Sequence, residues 1–260
     1  MNWIEINGAG TRYALDGEGA IPLVLIHEMG GALESWEPLL PEVAEERSVL
    51  RYDMRGFGDA TKLRGTAAMD ELVADLVALL GALGIERPVD LCGMAVGGAV
   101  ALHVAAWHPE RVGRLALMAP ALGIAPARRV AVRERADAID ANGMAWLAES
   151  ELQLTYPDVL RTNGRFDVYR ARWLGNDPSS YAATYRMLVE LDAREALAKV
   201  SRPTLMLAGA HDPLRPPELV SEAAAQIAGA RFDIVQSGHV MAHQSPDVVA
   251  EKLHAFWRAS

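Results

Sequence analysis

Two loops in the second half of the chain carry side chains that could act together in proton transfer. Asp212 lies in the segment 209–213, Gly-Ala-His-Asp-Pro, and His239 ends the segment 237–239, Ser-Gly-His. A carboxylate that accepts a hydrogen bond from a histidine ring fixes the tautomer of the ring and stabilises its protonated form. These residue types therefore predict a general base, His239, oriented by Asp212.

A third segment, 92–98, has the pattern of a turn that presents a nucleophile, but it lacks the nucleophile. It reads Cys-Gly-Met-Ala-Val-Gly-Gly, follows a predicted strand and opens a predicted helix over 97–107. A Gly-x-Ser-x-Gly turn in this setting holds its serine in a strained conformation, and glycines flank it because side chains there would clash. Here Ala95 stands at the centre. A methyl group cannot attack a carbonyl, so acyl-enzyme chemistry at residue 95 is excluded.

The elements that must position these loops alternate between apolar runs and helical patterns. Segments 3–6 and 11–14 predict an antiparallel hairpin that starts the sheet. Apolar runs without strict alternation are typical of strands buried on both faces, and they occur at 22–26, 49–52, 89–92, 115–118, 204–207 and 232–235. Apolar residues at three-to-four spacing predict helices at 70–83, 97–107, 217–228 and 246–257. This alternation predicts an α/β fold with a mostly parallel central sheet flanked by helices.

The alternation stops between the sixth and seventh strands, where the pattern becomes helical. Segments 128–141, 144–148 and 179–191 are its clearest predicted helices, and residues 121–199 contain eleven basic and eleven acidic residues. We interpret 121–199 as a helical cap inserted after the sixth strand of a single domain, 1–260, whose core is 1–120 and 200–260. The alternative is a helical subdomain with no role over the site.

Several of these segments together resemble the α/β-hydrolase superfamily over nearly the whole chain. The resemblance rests on His-Glu-Met-Gly-Gly at 27–31, Asp-Met-Arg-Gly-Phe-Gly at 53–58, the turn at 92–98, His-Pro-Glu-Arg-Val at 108–112 and the two loops with Asp212 and His239. The superfamily uses the chain order nucleophile, acid, base. Within it, the chain is most similar to 3-oxoadipate enol-lactonases and related C–C bond and ester hydrolases. The resemblance implies that the backbone amides of Met29 and Val96 form an oxyanion hole.

Two residues depart from the superfamily pattern. Ala95 stands where Ser, Cys or Asp is usual, and Glu28 stands where the first loop usually has glycine. A carboxylate pointing inward would suit a general acid or base, whereas one pointing outward would be a solvated loop residue. An engineered Ser→Ala change would explain Ala95 but not Glu28. A natural nucleophile-free branch would explain both residues, and we favour it because both would flank one pocket.

The leading hypothesis is therefore an enzyme that acts on a small, carboxylate-bearing organic molecule by His239–Asp212 acid–base catalysis. Such a site permits hydrolysis by water, a lyase step or an isomerisation, with Glu28 as a second proton carrier. The first alternative is a lactone or carboxylic-ester hydrolase of enol-lactonase type, inactivated by a Ser-to-Ala change at position 95. The second is a non-catalytic small-molecule receptor, which would have no need of a poised base.

Other side chains are candidates for substrate binding. Arginine holds carboxylates through two parallel hydrogen bonds, so the cap arginines could form an anion clamp. The candidates are His27, Arg128, Arg129, Trp146, Arg161 and Arg172.

Composition excludes several other classes of function. The net charge of −9 and the pI of about 5.3 argue against nucleic-acid binding, which needs basic surfaces. The one cysteine, Cys92, cannot form an internal disulfide, and neither metal-ligand spacing nor a cofactor motif is apparent. The chain starts without a signal-peptide pattern and has no apolar run long enough to span a membrane. We expect a cytoplasmic protein whose partner is its small-molecule substrate, and the sequence leaves a homo-oligomer open.

Overall fold

The computed structural model describes residues 1–18, 22–45, 47–161 and 164–259, and eight strands form its central sheet. The strands are β1 (Asn2–Ile6), β2 (Ala9–Asp16), β3 (Leu23–Ile26), β4 (Val49–Tyr52), β5 (Val89–Met94), β6 (Val112–Met118), β7 (Thr204–Gly209) and β8 (Arg231–Val235). Their order in the sheet is β1-β2-β4-β3-β5-β6-β7-β8. Every strand predicted from the sequence is present, including the antiparallel hairpin of β1 and β2.

The sheet is parallel from β4 to β8, which brings the carboxyl ends of these strands to one edge. β3 pairs with β5 so that Ile26 lies opposite Gly93, and β7 pairs with β8 so that Gly209 lies opposite Val235. The loops after β3, β5, β7 and β8 therefore all leave the sheet at this edge. Loops at this edge are where ligands bind in open α/β sheets.

Eleven helices accompany the sheet in the described residues. They are α1 (Leu40–Ala44), α2 (Met69–Ala82), α3 (Val96–Trp107), α4 (Arg129–Asn142), α5 (Met144–Thr155), α6 (Arg165–Leu174), α7 (Pro178–Glu190), α8 (Arg194–Lys199), α9 (Pro217–Ala224), α10 (Met241–Gln244) and α11 (Pro246–Arg258). The α/β-hydrolase fold expected from the sequence is thus confirmed, with α4 to α8 inserted between β6 and β7. In the described part of the chain, no helix is both long and apolar enough to cross a membrane.

The central strands are continuous apolar runs because helices cover both faces of the sheet. All residues of β3, β5 and β7 are buried, and the apolar side chains of α3 pack between β5 and β6. Runs of this kind are typical of parallel strands, whereas strands with one solvent-exposed face alternate apolar and polar residues. The core thereby holds the carboxyl ends of the strands, and the loops that leave them, in fixed positions.

Buried and partly buried hydrogen bonds join the inserted helices to the sheet and its loops. The Asn176 side chain donates to the Gly30 carbonyl at 2.9 Å, and the Leu63 amide donates to the Ser180 hydroxyl at 2.9 Å. The Gln244 side chain donates to the Thr155 carbonyl at 3.0 Å. These contacts fix the inserted helices over the loops after β3, β4 and β8.

Candidate active site

The loops after β7 and β8 bring Asp212 and His239 together as the sequence analysis expected. The His239 ring donates from Nδ1 to Asp212 Oδ2 at 2.8 Å. The backbone N–H groups of Leu214 and Arg215 donate to the other carboxylate oxygen at 2.8 and 3.1 Å. Burial alone would raise the pKa of Asp212, but the His239 ring and these two amides hold it below its usual value. The carboxylate therefore stays ionised and fixes the ring, and no hydrogen bond from the described residues engages its Nε2 atom.

Ala95 occupies the sharp turn between β5 and α3. Its backbone has φ 51° and ψ −112°, a conformation that residues with a side chain rarely adopt. A Cβ at Gly97 would overlap the carbonyl oxygens of Ile26 and His27, and a Cβ at Gly93 would overlap the Gly97 carbonyl. Only glycine permits this close approach of β3, β5 and α3. The turn places the Ala95 methyl in the wall of a cavity.

His27 lies beneath the site and not in the cavity wall, contrary to its prediction as a substrate contact. It is fully buried, and its Nδ1 donates to the Glu28 carbonyl at 2.7 Å. Its Nε2 accepts from the Met54 amide at 3.0 Å. Burial lowers the pKa of His27, which keeps the ring neutral and able to accept this bond. Because both ring nitrogens are engaged by backbone groups, His27 serves to hold the loop after β3 against the loop after β4.

Glu28 points inward, the orientation that the sequence left open. It is 2% exposed and contributes to the cavity wall. Its Oε1 accepts from the Ser35 hydroxyl at 3.0 Å, whereas Oε2 has no hydrogen-bond partner among the described residues. Gly31 leaves space for this carboxylate, since a Cβ there would lie 2.5 Å from the Glu28 Cδ atom. The loop after β3 is thus shaped around a buried acid.

Arg172 contacts Glu28 indirectly, through Ser35, and does not contribute to the cavity wall. The structure therefore does not place it as the substrate contact that the sequence analysis predicted. Its Nη1 donates to the Ser35 hydroxyl oxygen at 3.3 Å, and the Ala32 amide donates to the same oxygen at 3.2 Å. With both donors in place, the hydroxyl hydrogen of Ser35 is directed at Glu28. Arg172 therefore acts on the site through Ser35.

A cavity of about 160 Å³ lies between the sheet edge and the inserted helices. Its wall on the sheet side includes Glu28, Met29, Ala95, Val96, His239 and Val240. Its wall on the helical side includes Arg128, Arg135, Glu151, Tyr169, Tyr181 and Tyr185. In the described structure, no hydrogen bond to the protein engages the backbone N–H groups of Met29 and Val96.

Three residues that the sequence analysis missed form a polar cluster in the helical wall. Glu151 accepts from the Tyr185 hydroxyl at 2.7 Å and from Arg135 Nη1 at 2.8 Å. Burial raises the pKa of Tyr185 well above its usual value, so the hydroxyl keeps its proton. One signal was present in the sequence, because Glu151 falls on the same face of α5 as Leu147 and Thr155. A carboxylate on a buried face requires partners.

Of the remaining predicted contacts, Arg128 alone lies in the cavity wall. Arg129 donates to the Ile124 carbonyl at 3.2 Å, and Trp146 is 56% exposed on the outer side of α5. Arg161 donates to the Tyr156 carbonyl at 2.9 Å and lies 4.0 Å above the Phe166 ring. Local contacts hold Arg129 and Arg161 away from the cavity, and Trp146 lies on the exposed surface of α5. Sequence spacing does not reveal these placements.

Comparison with known proteins agrees with the fold. A model of the alpha/beta hydrolase family matches residues 23–252, so the chain belongs to the alpha/beta hydrolase family. The chain is 27% identical to 3-oxoadipate enol-lactonase 1 of Acinetobacter baylyi over 94% of this chain and 88% of that protein. The enol-lactonase from Burkholderia xenovorans LB400 superposes with a TM-score of 0.92 at 28% identity, covering 99% of this chain and 100% of that one.

Some relatives are more similar in sequence, but over a smaller region. The dihydrolipoyllysine-residue acetyltransferase component of the acetoin cleaving system of Pseudomonas putida is 42% identical over 118 residues. These residues are 45% of this chain, and the match spans 32% of that relative. The full-length matches and the family model support a hydrolase-superfamily enzyme with enol-lactonase relatives.

Proposed function

We propose that this protein is an enzyme that acts on a small, carboxylate-bearing organic molecule by acid–base catalysis, without a nucleophilic side chain. The observation that carries the proposal is the combination of an ordered His239–Asp212 pair with Ala95 at the turn where the family's nucleophile would stand. A methyl group forms no acyl-enzyme, yet a histidine held by a buried carboxylate remains a competent base.

In this mechanism the His239 Nε2 atom removes a proton from water or from an acidic C–H bond of the substrate. For hydrolysis, the water oxygen bonds to the carbonyl carbon while its proton moves to Nε2. The bond between the carbonyl carbon and the leaving group then breaks, and the imidazolium gives that proton to the departing atom. Asp212 stabilises the imidazolium, and the free amides of Met29 and Val96 receive the oxyanion or enolate. In a reaction that starts from a C–H bond, Glu28, buried in the same wall, transfers the second proton to or from the substrate.

The test is turnover of a panel of enol-lactones, esters and β-keto carboxylates in D₂O, followed by NMR as product formation and as exchange of substrate hydrogens. We expect His239→Gln to lower turnover about 10²- to 10⁴-fold, the usual contribution of a general base. Glu28→Gln should lower it as well, because the amide cannot carry the proton. His211→Gln is the matched control, since this exposed neighbour of Asp212 does not contribute to the cavity wall.

Retention of full turnover by His239→Gln would contradict the proposal, as would a loss of the same size in His211→Gln. Circular dichroism of each variant separates a lost proton carrier from a lost fold. Asp212→Asn should reduce turnover while leaving binding of unreacted substrate unchanged, because it removes the orientation and charge support of the ring and no contact with the ligand.

A second candidate is lactone or ester hydrolysis of the enol-lactonase type, for which residue 95 would have to be serine. The strained backbone at Ala95 and the flanking Gly93 and Gly97 favour this candidate, because a turn of this kind exposes a nucleophile. Ala95→Ser should then give a burst of nitrophenolate from a p-nitrophenyl ester, equal to the enzyme concentration. A folded Ala95→Ser protein without a burst would exclude this candidate.

A further inference from the structure

The charged side chains in the cavity wall differ in whether a partner neutralises them. Arg135 is paired with Glu151, so this part of the wall carries no net charge. The two other guanidinium groups in the wall belong to Arg128 and Arg215, and neither forms an ion pair with a carboxylate in the described structure. An excess of positive charge therefore lies at these two residues.

Arg215 is held in place by neutral groups. Its Nε donates to the Pro120 carbonyl at 3.2 Å, and its Nη1 donates to the Leu214 carbonyl at 2.8 Å. Asp212, three residues earlier, is already engaged by His239 and by two backbone amides. The guanidinium is thus oriented but not neutralised, which is the state of an anion-binding group before its ligand arrives.

The charge of Arg215 is costly without an anion. Burial lowers the pKa of its guanidinium, Asp212 raises it, and the neighbouring charge of Arg128 lowers it further. Arg128 ends a short 3-10 turn, Pro126–Arg128, and its side chain is exposed at the cavity. A carboxylate between the two arginines would relieve both the burial of one charge and the repulsion between them.

The order of the strands places this pair at the His239 side of the site. Arg215 follows β7 and His239 follows β8, whereas Glu28 follows β3. β7 and β3 are separated in the sheet by β6 and β5, which is about 14 Å at the usual strand spacing. The turn at Ala95, after β5, lies between them. Arg215, His239 and Ala95 all face the same cavity, so a substrate with its carboxylate at Arg215 would lie beside His239 and reach the turn at Ala95.

We propose that Arg215 and Arg128 form the site that binds the carboxylate of the substrate, and that this contact sets which substrate bond lies at His239. This inference rests on the proposed function and adds the residues and the direction of binding. The cavity volume matches a ligand with a core the size of benzene, since a cavity of about 150 Å³ accommodates benzene. Small aromatic or cyclic monocarboxylates are the expected ligand class.

Benzoate and its neutral counterpart benzamide provide a binding test that needs no turnover. We expect the unaltered protein to bind benzoate about 10- to 100-fold more tightly than benzamide in calorimetric titrations, as for charge-assisted hydrogen bonds. Arg215→Gln should abolish this preference, and Arg128→Gln should reduce it several-fold. Arg215→Lys keeps the charge and should retain part of the preference, which guards against a variant that simply unfolds.

Arg170→Gln is the matched control because it removes one positive charge from an exposed position on α6 outside the cavity wall. It should leave the preference unchanged. Equal binding of the two probes, no binding of either, or an unchanged preference in Arg215→Gln would overturn the inference. His239→Gln should keep the benzoate preference, so a failure of the catalytic proposal would be seen separately from a failure of this one.

Discussion

Gly97 sets the residue-scale geometry on which the site depends. A side chain there would overlap two carbonyl oxygens of the segment that ends β3, and so the turn at Ala95 could not pack against the loop that carries Glu28. The lack of a side chain at Gly97 therefore allows Glu28 and the Ala95 methyl to lie in the same site. At this scale, adding a single methyl group at residue 97 would disrupt the site.

We predict that Gly97→Ala lowers the free energy of unfolding by about 3 kcal/mol, because overpacking a fully buried contact forces the backbone to move. Gly81→Ala is the control. Gly81 lies inside α2 with open space where a Cβ would project, so the same substitution there should stabilise the protein by about 0.5–1 kcal/mol. Urea unfolding followed by circular dichroism measures both, and equal effects at the two positions would contradict the packing argument.

His243 couples the stability of the protein to pH. It is buried beside Tyr156 and Tyr169, its Nδ1 has no partner in the described residues, and burial lowers its pKa to about 4, with the charges of Arg172 and Arg165 adding to the effect. Because the folded pKa lies below the unfolded value of 6.5, protonation favours the unfolded chain. The stability that depends on neutral His243 is complete above pH 6.5 and is lost as the pH falls towards 4.

We therefore predict that His243→Phe flattens the fall in unfolding free energy between pH 6.5 and pH 4, by up to about 3 kcal/mol over that range. Phenylalanine keeps the ring contacts and removes the proton site. Urea titrations at a series of pH values measure the slope. His211→Phe, at an exposed position, should leave the slope as it is in the unaltered protein. A slope unchanged by His243→Phe would mean that other groups account for the acid sensitivity.

At the scale of elements, the start of α7 shows how local sequence fixes a helix that the site requires. The Asp177 carboxylate accepts from the Ser180 amide at 2.9 Å and from its hydroxyl at 2.8 Å, and Pro178 occupies the first helical position. Both features favour a helix start. This helix carries Tyr181 and Tyr185 into the cavity wall, so its start determines where they lie.

We predict that Asp177→Ala costs about 1 kcal/mol of stability through the lost cap. The exposed ion pair of Asp177 with Arg64 adds little, so Arg64→Gln should have an effect below about 0.5 kcal/mol. Asp177→Ser keeps a capping oxygen and should recover most of the loss. Thermal denaturation of the three variants checks this order, and a larger loss in Arg64→Gln than in Asp177→Ala would contradict it.

At the scale of the whole molecule, hydrogen bonds and packing join the inserted helices to the sheet. Asn176, Ser180 and Gln244 bond across this boundary, and Trp173 is fully buried in the inserted part while Trp36 is fully buried beside the sheet. Because few of these contacts could persist if one part unfolded alone, we expect the two parts to unfold as one cooperative unit.

The prediction is that far-ultraviolet circular dichroism and the fluorescence of Trp173, in a variant with the other tryptophans replaced by phenylalanine, give the same urea midpoint. A matching variant that keeps Trp36 alone reports on the sheet side. Midpoints for Trp36 and Trp173 that differ beyond error would show that the inserted helices form a separately folding unit.

The sequence by itself determined the order of elements and the residues of the proton-transfer pair. Apolar runs, helical spacing and glycines are local signals, and so the eight strands and the turn at Ala95 could be located without a structure. Helix ends were less accurate. The predicted segment 144–148 continues to Thr155 as α5 because Glu151 gains buried partners on α4 and α7.

Only the tertiary structure decided which charged side chains meet the cavity. Glu28 turns inward because Ser35 and the space at Gly31 accept its carboxylate, whereas Arg161 and Arg172 are drawn to partners outside the cavity. Arg215 becomes a candidate ligand group because its partners are carbonyls and not carboxylates. These outcomes depend on contacts between residues far apart in the chain, and the type and spacing of these charged residues did not indicate which partners they would meet.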